Sequence, residues 1–153
     1  MELMMTPKRV EFLSDVTLVA DACGDPAGPP VVFMHGGGQT RHAWRTILPK
    51  AARMGFYALS LDARGHGESG WALDGDYRGA RFVDDIDSVV AKLDKPPFLI
   101  GASLGGLMSI LYAGTRSRPI RGLGLIDCVP RLNESGINRI GNFMHAHPEG
   151  FAS

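Results

Sequence analysis

The stretch FLIGASLGG, residues 98–106, constrains this chain more than any other part of it. The apolar residues before Gly101 predict a short buried strand, and the small apolar residues after Ser103 predict a helix. A sharp turn at the serine must join the two elements. Glycines at 101 and 105 remove side chains that would collide with the backbone at such a turn. We therefore expect the hydroxyl of Ser103 to project from the turn. The amide of Leu104 should lie at the helix start, where an anion is favoured.

This Gly-x-Ser-x-Gly spacing between a strand and a helix is typical of a nucleophile elbow. The alternative is a glycine-rich turn that only starts a helix. A serine nucleophile also needs a base, an orienting acid and hydrogen-bond donors for the oxyanion that it creates. We expect a second donor from HGGGQ, residues 35–39, because consecutive glycines let backbone amides approach a ligand without obstruction. The alternative for this segment is a flexible connecting loop.

The order of elements along the chain predicts an α/β fold with a doubly wound, mostly parallel sheet of about six strands. Strands alternate with helices at the spacing of parallel β/α units, after an N-terminal hairpin. Apolar or β-branched runs predict strands at 10–13, 17–20, 31–34, 56–61, 98–101 and 122–126. Helical periodicity follows Thr40, with a kink or break expected at Pro49. A second helix is predicted over 82–93, with its aspartates in the first turns.

Charge and composition exclude several classes of protein. Sixteen acidic and sixteen basic residues balance, and no basic run is present, so nucleic-acid and anionic-membrane binding are not expected. Cys23 and Cys128 lack the spacing of metal ligands. No apolar run reaches transmembrane length, and residues 1–9 lack the apolar segment of a signal peptide. We therefore expect a cytoplasmic protein without a metal site.

Three motifs resemble, in their order, the N-terminal half of an α/β-hydrolase. The match covers nearly the whole chain through Asp127 and is closest to the branch with epoxide hydrolases, haloalkane dehalogenases, cofactor-free haloperoxidases and C–C bond hydrolases. The motifs are His35-Gly36-Gly37-Gly38, Asp62-x-Arg64-Gly65-x-Gly67-x-Ser69 and Gly101-x-Ser103-x-Gly105-Gly106. The resemblance implies that Ser103 is the nucleophile and that the amides of Gly37 and Leu104 form the oxyanion hole. It also places His35, Gly36 and Gly38 beside the substrate.

The resemblance further implies a division of the chain and an incomplete catalytic set. Residues 1–128 would form a partial core, truncated before the last strands, and 129–153 would begin a helical lid. Phe143 and Met144 are candidates to line the acyl pocket. The catalytic histidine of the family follows the last strand, so this chain is expected to lack it.

Five histidines and one aspartate at a predicted strand end bear on the remaining catalytic roles, the base and the orienting acid. Asp127 is the candidate acid because it ends a predicted strand; the alternative is an aspartate that caps a turn. The resemblance implies loop-shaping roles for His35 and His66. His42 is expected on the solvent side of the first helix, and His145 and His147 are expected on the surface or facing substrate.

The serine at position 103 favours acyl chemistry. The epoxide hydrolases and dehalogenases of this branch use an aspartate, and an alkyl group on serine would be an ether with no carbonyl for water to attack. The sequence therefore predicts a serine hydrolase that acts on a small-molecule ester or similar acyl substrate through an acyl-enzyme. The resemblance implies no metal or other cofactor for this reaction. Two alternatives remain open. One is a noncatalytic or partner-dependent domain that self-associates through an exposed sheet edge, and the other is a cofactor-free perhydrolase or haloperoxidase-like activity of the same serine.

Overall fold

The computed structural model describes residues 6–128 and, beyond them, residues 138, 139, 142 and 146. The predicted division at residue 128 and the lid therefore stay predictions. Phe143, Met144, His145 and His147 lie outside the described residues.

Six strands form a single sheet in the described part of the chain. They are β1 (Lys8–Leu13), β2 (Thr17–Cys23), β3 (Pro30–Met34), β4 (Tyr57–Leu61), β5 (Phe98–Ala102) and β6 (Gly122–Ile126). Their spatial order is β1-β2-β4-β3-β5-β6. The β1–β2 hairpin is antiparallel and joins β4 antiparallel, whereas β4, β3, β5 and β6 run parallel. The predicted fold class and the N-terminal hairpin are confirmed.

Three helices cover the two faces of this sheet. They are α1 (Leu48–Arg53), α2 (Gly79–Val90) and α3 (Leu104–Thr115), and a 3₁₀ turn (Arg41–Trp44) precedes α1. The helical stretch after Thr40 is thus broken into two pieces, in agreement with the kink or break expected at Pro49, which lies in the first turn of the second piece, α1. Proline is tolerated there because the first-turn amides have no acceptor within the helix.

The second helix begins earlier than its periodicity indicated. Since α2 starts at Gly79, its first turn contains no acidic residue, and the aspartates expected in its first turns lie from the second turn onward. Gly79, Ala80 and Arg81 begin the helix ahead of the apolar periodicity that starts at Phe82. Asp85 is instead buried within the helix, where it pairs with Arg64.

The core has two layers, one on each face of the sheet. Helices α2 and α3 cover one face through a cluster that includes Leu18, Val32, Leu59, Val83, Leu99 and Tyr112. Helix α1 covers part of the other face through Val31, Phe33, Leu48 and Ala52. The edge strand β6 is less covered, since Leu123 and Leu125 are 39% exposed and Ile126 is 47% exposed. None of the helices in the described residues is long and apolar enough to cross a bilayer.

Candidate functional site

The turn at Ser103 lies at the carboxyl end of β5. Ser103 precedes α3 with φ 46° and ψ −111°, a conformation that residues with a side chain rarely adopt. A Cβ on Gly101 would overlap the backbone of Gly105, and a Cβ on Gly105 would lie 2.5 Å from the carbonyl oxygen of Met34. The Ser103 amide donates to Ile126 O at 3.0 Å. Glycine at both positions and a bond to β6 therefore hold a strained, exposed serine.

The glycine loop after β3 packs directly against this turn. A Cβ on Gly36 would lie 3.5 Å from Cβ of Ser103, and a Cβ on Gly37 would lie 3.9 Å from Cδ2 of Leu104. The carbonyl of His35 accepts a hydrogen bond from the Gly105 amide at 3.1 Å. The two glycine-rich segments, 65 residues apart in the sequence from Gly36 to Gly101, thus meet at one sheet edge.

The backbone amides around Ser103 fall into two groups. Three donate within the protein: Gly36 to Oε1 of Gln39 (3.0 Å), Gly38 to Nε2 of His66 (3.2 Å) and Gly105 to His35 O (3.1 Å). The amides of Gly37 and Leu104 have no acceptor among residues 6–128. Backbone amides are nearly always paired, with protein or with water. Two unpaired donors beside one exposed hydroxyl form a place where an oxygen atom can be bound.

Both histidines next to the glycine loop use their ring nitrogens to hold backbone. Nδ1 of His35 bonds to Gly36 O at 2.8 Å, and its Nε2 accepts from the Ala63 amide at 3.0 Å. Burial lowers the pKa of His35, whose residue is 2% exposed, so the ring is held neutral. Nδ1 of His66 bonds to Arg64 O at 3.0 Å, and the two rings lie 5.0 Å apart. Neither ring has a nitrogen left for a serine proton.

Asp127 lies at the same edge of the sheet as Ser103. Ala102 and Ile126 are register partners in the parallel pair β5–β6, so the serine and the aspartate follow neighbouring positions. Asp127 is exposed and has φ 50°. Its role as the acid stays a prediction. The positive φ of Asp127 could not be inferred from the sequence, because a positive φ is readily adopted only by glycine and is therefore not expected at an aspartate.

A buried ionic network supports both loops, and sequence reasoning missed its central residue. Arg41 donates from its backbone to Asp62 Oδ1 at 2.6 Å and from Nη1 to Oδ2 at 2.5 Å, and it also pairs with Asp21 and Glu68. Burial alone would raise the pKa of Asp62. The amides of Arg41 and Glu68 and the Arg41 guanidinium outweigh it, so that pKa is lowered. No sequence signal marks Arg41, which lies in an otherwise polar segment.

A small cavity lies beside the turn at Ser103. It has a volume of about 30 Å³, and its lining includes Met34, His35, Leu104, Gly105 and Met108. Ligand pockets are about ten times larger or more, so this cavity is too small for a substrate. A larger apolar groove of about 320 Å³ lies between α1 and strands β3 and β5, away from the glycine loop. Within the described residues, no group of three His, Cys, Asp or Glu side chains could hold a metal ion.

Comparison with known proteins gives a consistent family. The family model for the alpha/beta hydrolase fold matches residues 29–145. The chain is 36% identical over 105 residues to an esterase of Mycobacterium tuberculosis, covering 68% of this chain and 34% of that protein. It is 31% identical over 132 residues to protein phosphatase methylesterase 1 of Bos taurus, covering 82% of this chain and 35% of that protein.

A solved structure supports the same fold. The thioesterase domain from the curacin biosynthetic pathway superposes with a TM-score of 0.76 at 24% identity, over 92% of this chain and 53% of that chain. At this identity the likeness concerns the fold alone. The chain spans about a third of the length of the two curated relatives and about half of this structure.

Proposed function

Because this chain belongs to the alpha/beta hydrolase fold family, we propose that it carries the nucleophile and the oxyanion hole of a serine hydrolase acting on an ester or related acyl substrate. One observation carries the proposal most directly. Ser103 is exposed at a strained turn, beside two amides, of Gly37 and Leu104, that have no acceptor among residues 6–128. The relatives named as esterases support an acyl substrate.

The proposed reaction has two halves. Oγ of Ser103 attacks the acyl carbonyl, and the carbonyl oxygen becomes an oxyanion that accepts hydrogen bonds from the amides of Gly37 and Leu104. Collapse of this intermediate expels the alcohol with a proton and leaves an ester on Ser103. Water then attacks that ester and forms a second oxyanion, which accepts hydrogen bonds from the same two amides. Collapse of this intermediate breaks the bond to Oγ, returns a proton to Ser103 and releases the acid.

Ser103 needs a base to accept its hydroxyl proton, and we propose that this base lies outside residues 6–128. The rings of His35 and His66 are both occupied by backbone groups. His42 is exposed on the 3₁₀ turn beside Asp21. In this proposal Asp127 orients the base from the end of β6. Without this base, turnover of an activated aryl ester should be slow, since loss of the base in the best-studied triad costs about six orders of magnitude in kcat.

Covalent labelling tests the nucleophile without requiring full turnover. The chain is treated with a fluorophosphonate, and the modified peptide is located by mass spectrometry. We expect modification of Ser103, its loss in Ser103→Ala, and no change in Ser117→Ala, where an exposed serine lies after α3. Absence of label at Ser103 in a folded chain, or equal labelling of Ser103→Ala, would contradict the proposal. Rapid aryl ester turnover that depends on Ser103 and survives substitution of both His145 and His147 would contradict a base outside residues 6–128.

A second proposal concerns association. The exposed apolar residues of β6, Leu123, Leu125 and Ile126, lie on an edge strand whose outer backbone groups have no partner strand among the described residues. We propose that two copies of this chain pair through β6. Light scattering should then report a dimer at micromolar concentration, and Leu125→Lys should shift it toward the monomer. A monomer at every concentration would contradict this proposal without affecting the first.

A further inference from the structure

We propose that the small cavity beside the turn at Ser103 receives the end of the substrate's acyl chain, so that the serine acts on esters of short apolar acids. This inference rests on the proposed function and deepens it, because it gives the acyl group a place and a length. A whole substrate does not fit a cavity of about 30 Å³. The terminal carbons of an acyl chain do fit, since a single water needs about 10–15 Å³ by the same kind of measure.

The walls of this cavity are mostly apolar. They come from the ends of β3 and β4 and from the facing sides of α2 and α3, through the side chains of Met34, Leu61, Phe82, Ile86, Leu104 and Met108. A space enclosed by such side chains favours an apolar group over water.

The two polar side chains in the lining, those of His35 and Asp85, are already hydrogen-bonded within the protein. Nδ1 of His35 bonds to Gly36 O and its Nε2 accepts from the Ala63 amide, while both carboxylate oxygens of Asp85 accept from Arg64. No buried side-chain nitrogen or oxygen of a lining residue lacks a partner within residues 6–128. A buried water needs about two to four polar partners, so this cavity is suited to carbon rather than to water.

Leu104 connects the cavity to the oxyanion hole. Its amide is one of the two donors without an acceptor among residues 6–128, and its side chain lines the cavity. A Cβ on Gly37, which carries the other free amide, would lie 3.9 Å from Cδ2 of Leu104. One side chain therefore borders the hole and the cavity, and an acyl chain that starts at the hole has only this side chain to pass before it enters the cavity.

The arrangement of groups around the reacting carbon directs the acyl chain to this side. In the tetrahedral intermediate the carbon carries Oγ of Ser103, the oxyanion, the leaving group and the acyl chain. The oxyanion faces the amides of Gly37 and Leu104. The leaving oxygen takes its proton from a base that the proposed function locates outside residues 6–128, so the leaving group faces away from them. The acyl chain is then the substituent that faces the described residues.

Met108 sets the length of chain that the cavity accepts. It lies one turn after Leu104 in α3, so the two side chains are neighbours on one helix face. Its thioether extends toward the start of α2, where a Cβ on Gly79 would lie 3.8 Å from Sδ and 3.9 Å from Cε. Methionine is unbranched and flexible, and here it lies opposite a residue without a side chain. The size of the side chain at position 108 therefore determines the depth of the cavity.

Two substitutions change this depth in opposite directions. Met108→Ala enlarges the cavity, and Met108→Phe fills it with a rigid ring. The matched control is Met54→Ala, which removes an exposed methionine that lines the larger groove and not this cavity. Each 153-residue chain is treated with the p-nitrophenyl esters of acetic, butyric and hexanoic acid, and mass spectrometry follows the rate at which Ser103 is acylated. Thermal melts establish which variants are folded.

The proposal predicts a different preferred chain length for each variant. The unsubstituted chain reacts fastest with the butyrate, because each methylene that enters the cavity raises the rate by up to about fourfold, and more slowly with the hexanoate, which exceeds the cavity. Met108→Ala moves the preference to the hexanoate, Met108→Phe moves it to the acetate, and Met54→Ala leaves it unchanged. The same preference in the unsubstituted chain and in both folded Met108 variants would overturn the inference.

Xenon tests the cavity without any chemistry at Ser103, since dry apolar cavities bind this gas. The methyl resonances of Met34 and Met108 are recorded in the chain with and without dissolved xenon. Both should shift, and the shift at Met34 should be lost in Met108→Phe. Absence of a shift at both methionines would overturn the inference. If no ester acylates Ser103 in any of the chains, the proposed function and the acyl role fail together, while xenon still decides whether the cavity accepts an apolar group.

Discussion

Two turns at the same edge of the sheet differ in how their polar groups are satisfied. One follows β4 and comprises residues 62–69; the other follows β5 at Ser103. In the first, Asp62 is bound by Arg41, Arg64 is bound by Asp85, and the hydroxyl of Ser69 donates to Asp62 O at 2.7 Å. In the second, the backbone is strained and the Leu104 amide has no acceptor among residues 6–128.

The difference shows that two neighbouring turns at one sheet edge can be built differently, one with its polar groups paired inside the protein and the other with an amide donor left unpaired. Saturated buried pairs give the first turn rigidity and leave it nothing with which to bind a ligand. Unpaired donors and a strained residue give the second turn a binding capacity that its neighbours must maintain. The two are physically connected, because the first turn holds the glycine loop through Asp62, Arg41 and His66.

The largest expected effect comes from breaking the saturated turn. Arg64→Ala leaves the Asp85 carboxylate buried without its cation, and should lower the free energy of unfolding by about 3–5 kcal/mol. Urea denaturation measures the change. The matched control is Arg78→Ala, which removes an exposed arginine that also pairs with an aspartate, Asp76, and should change stability little. Similar losses in the two variants would mean that burial does not distinguish these ion pairs.

A smaller change in unfolding free energy is expected from two glycine substitutions in α3, and the two should have opposite signs. They test how closely the backbone of the second turn packs against β3. Gly105→Ala places a Cβ 2.5 Å from Met34 O and should cost about 1–3 kcal/mol in unfolding free energy. Gly114→Ala, at the other end of α3, meets no atom within 4 Å and should stabilise the chain by about 0.5–1 kcal/mol. Urea midpoints of the two variants should therefore move in opposite directions. A stable Gly105→Ala chain would contradict the tight packing of this turn on β3.

The smallest expected effect is a graded loss of stability in acid. The pKa of His35 in the folded chain is below its ordinary value of 6.5, so between those two values the unfolded chain binds more protons and stability falls as pH falls. The pKa of Asp62 is also lowered from its ordinary value of 3.8, and its contribution is lost further into acid. Denaturation midpoints across a pH series should show a first decline just below pH 6.5 and a second below pH 3.8.

The first decline has its own control. His35→Gln removes the titrating ring, so the slope of stability against pH just below the ordinary histidine value should flatten even though the variant is less stable overall. An unchanged slope would mean that His35 is not the group responsible. The decline at lower pH should persist in this variant, because Asp62 keeps its bonds from Arg41 and Glu68.

Local pattern was sufficient for the six strands and for the sharp turn at Ser103. The strand over 122–126 was predicted with the bounds that the structure has, and the bounds of the strand beginning at Phe98 differ by one residue. Short apolar runs bounded by polar, glycine or proline residues leave few alternatives to a strand. The elbow at Ser103 was predictable for the same reason, since only glycines at fixed offsets allow so tight a turn.

The tertiary structure alone decided which groups are left free. Nothing in the order of residues indicates that Gly38 bonds to His66 while Gly37 has no acceptor among residues 6–128, or that Arg41 and Asp85 are buried partners of residues in the Asp62–Ser69 turn. These outcomes depend on contacts between segments distant in the sequence, formed when parallel strands bring their carboxyl ends together. The sequence by itself determined where a strained, exposed serine would lie, whereas the folded backbone determined which amides near it have no acceptor among residues 6–128.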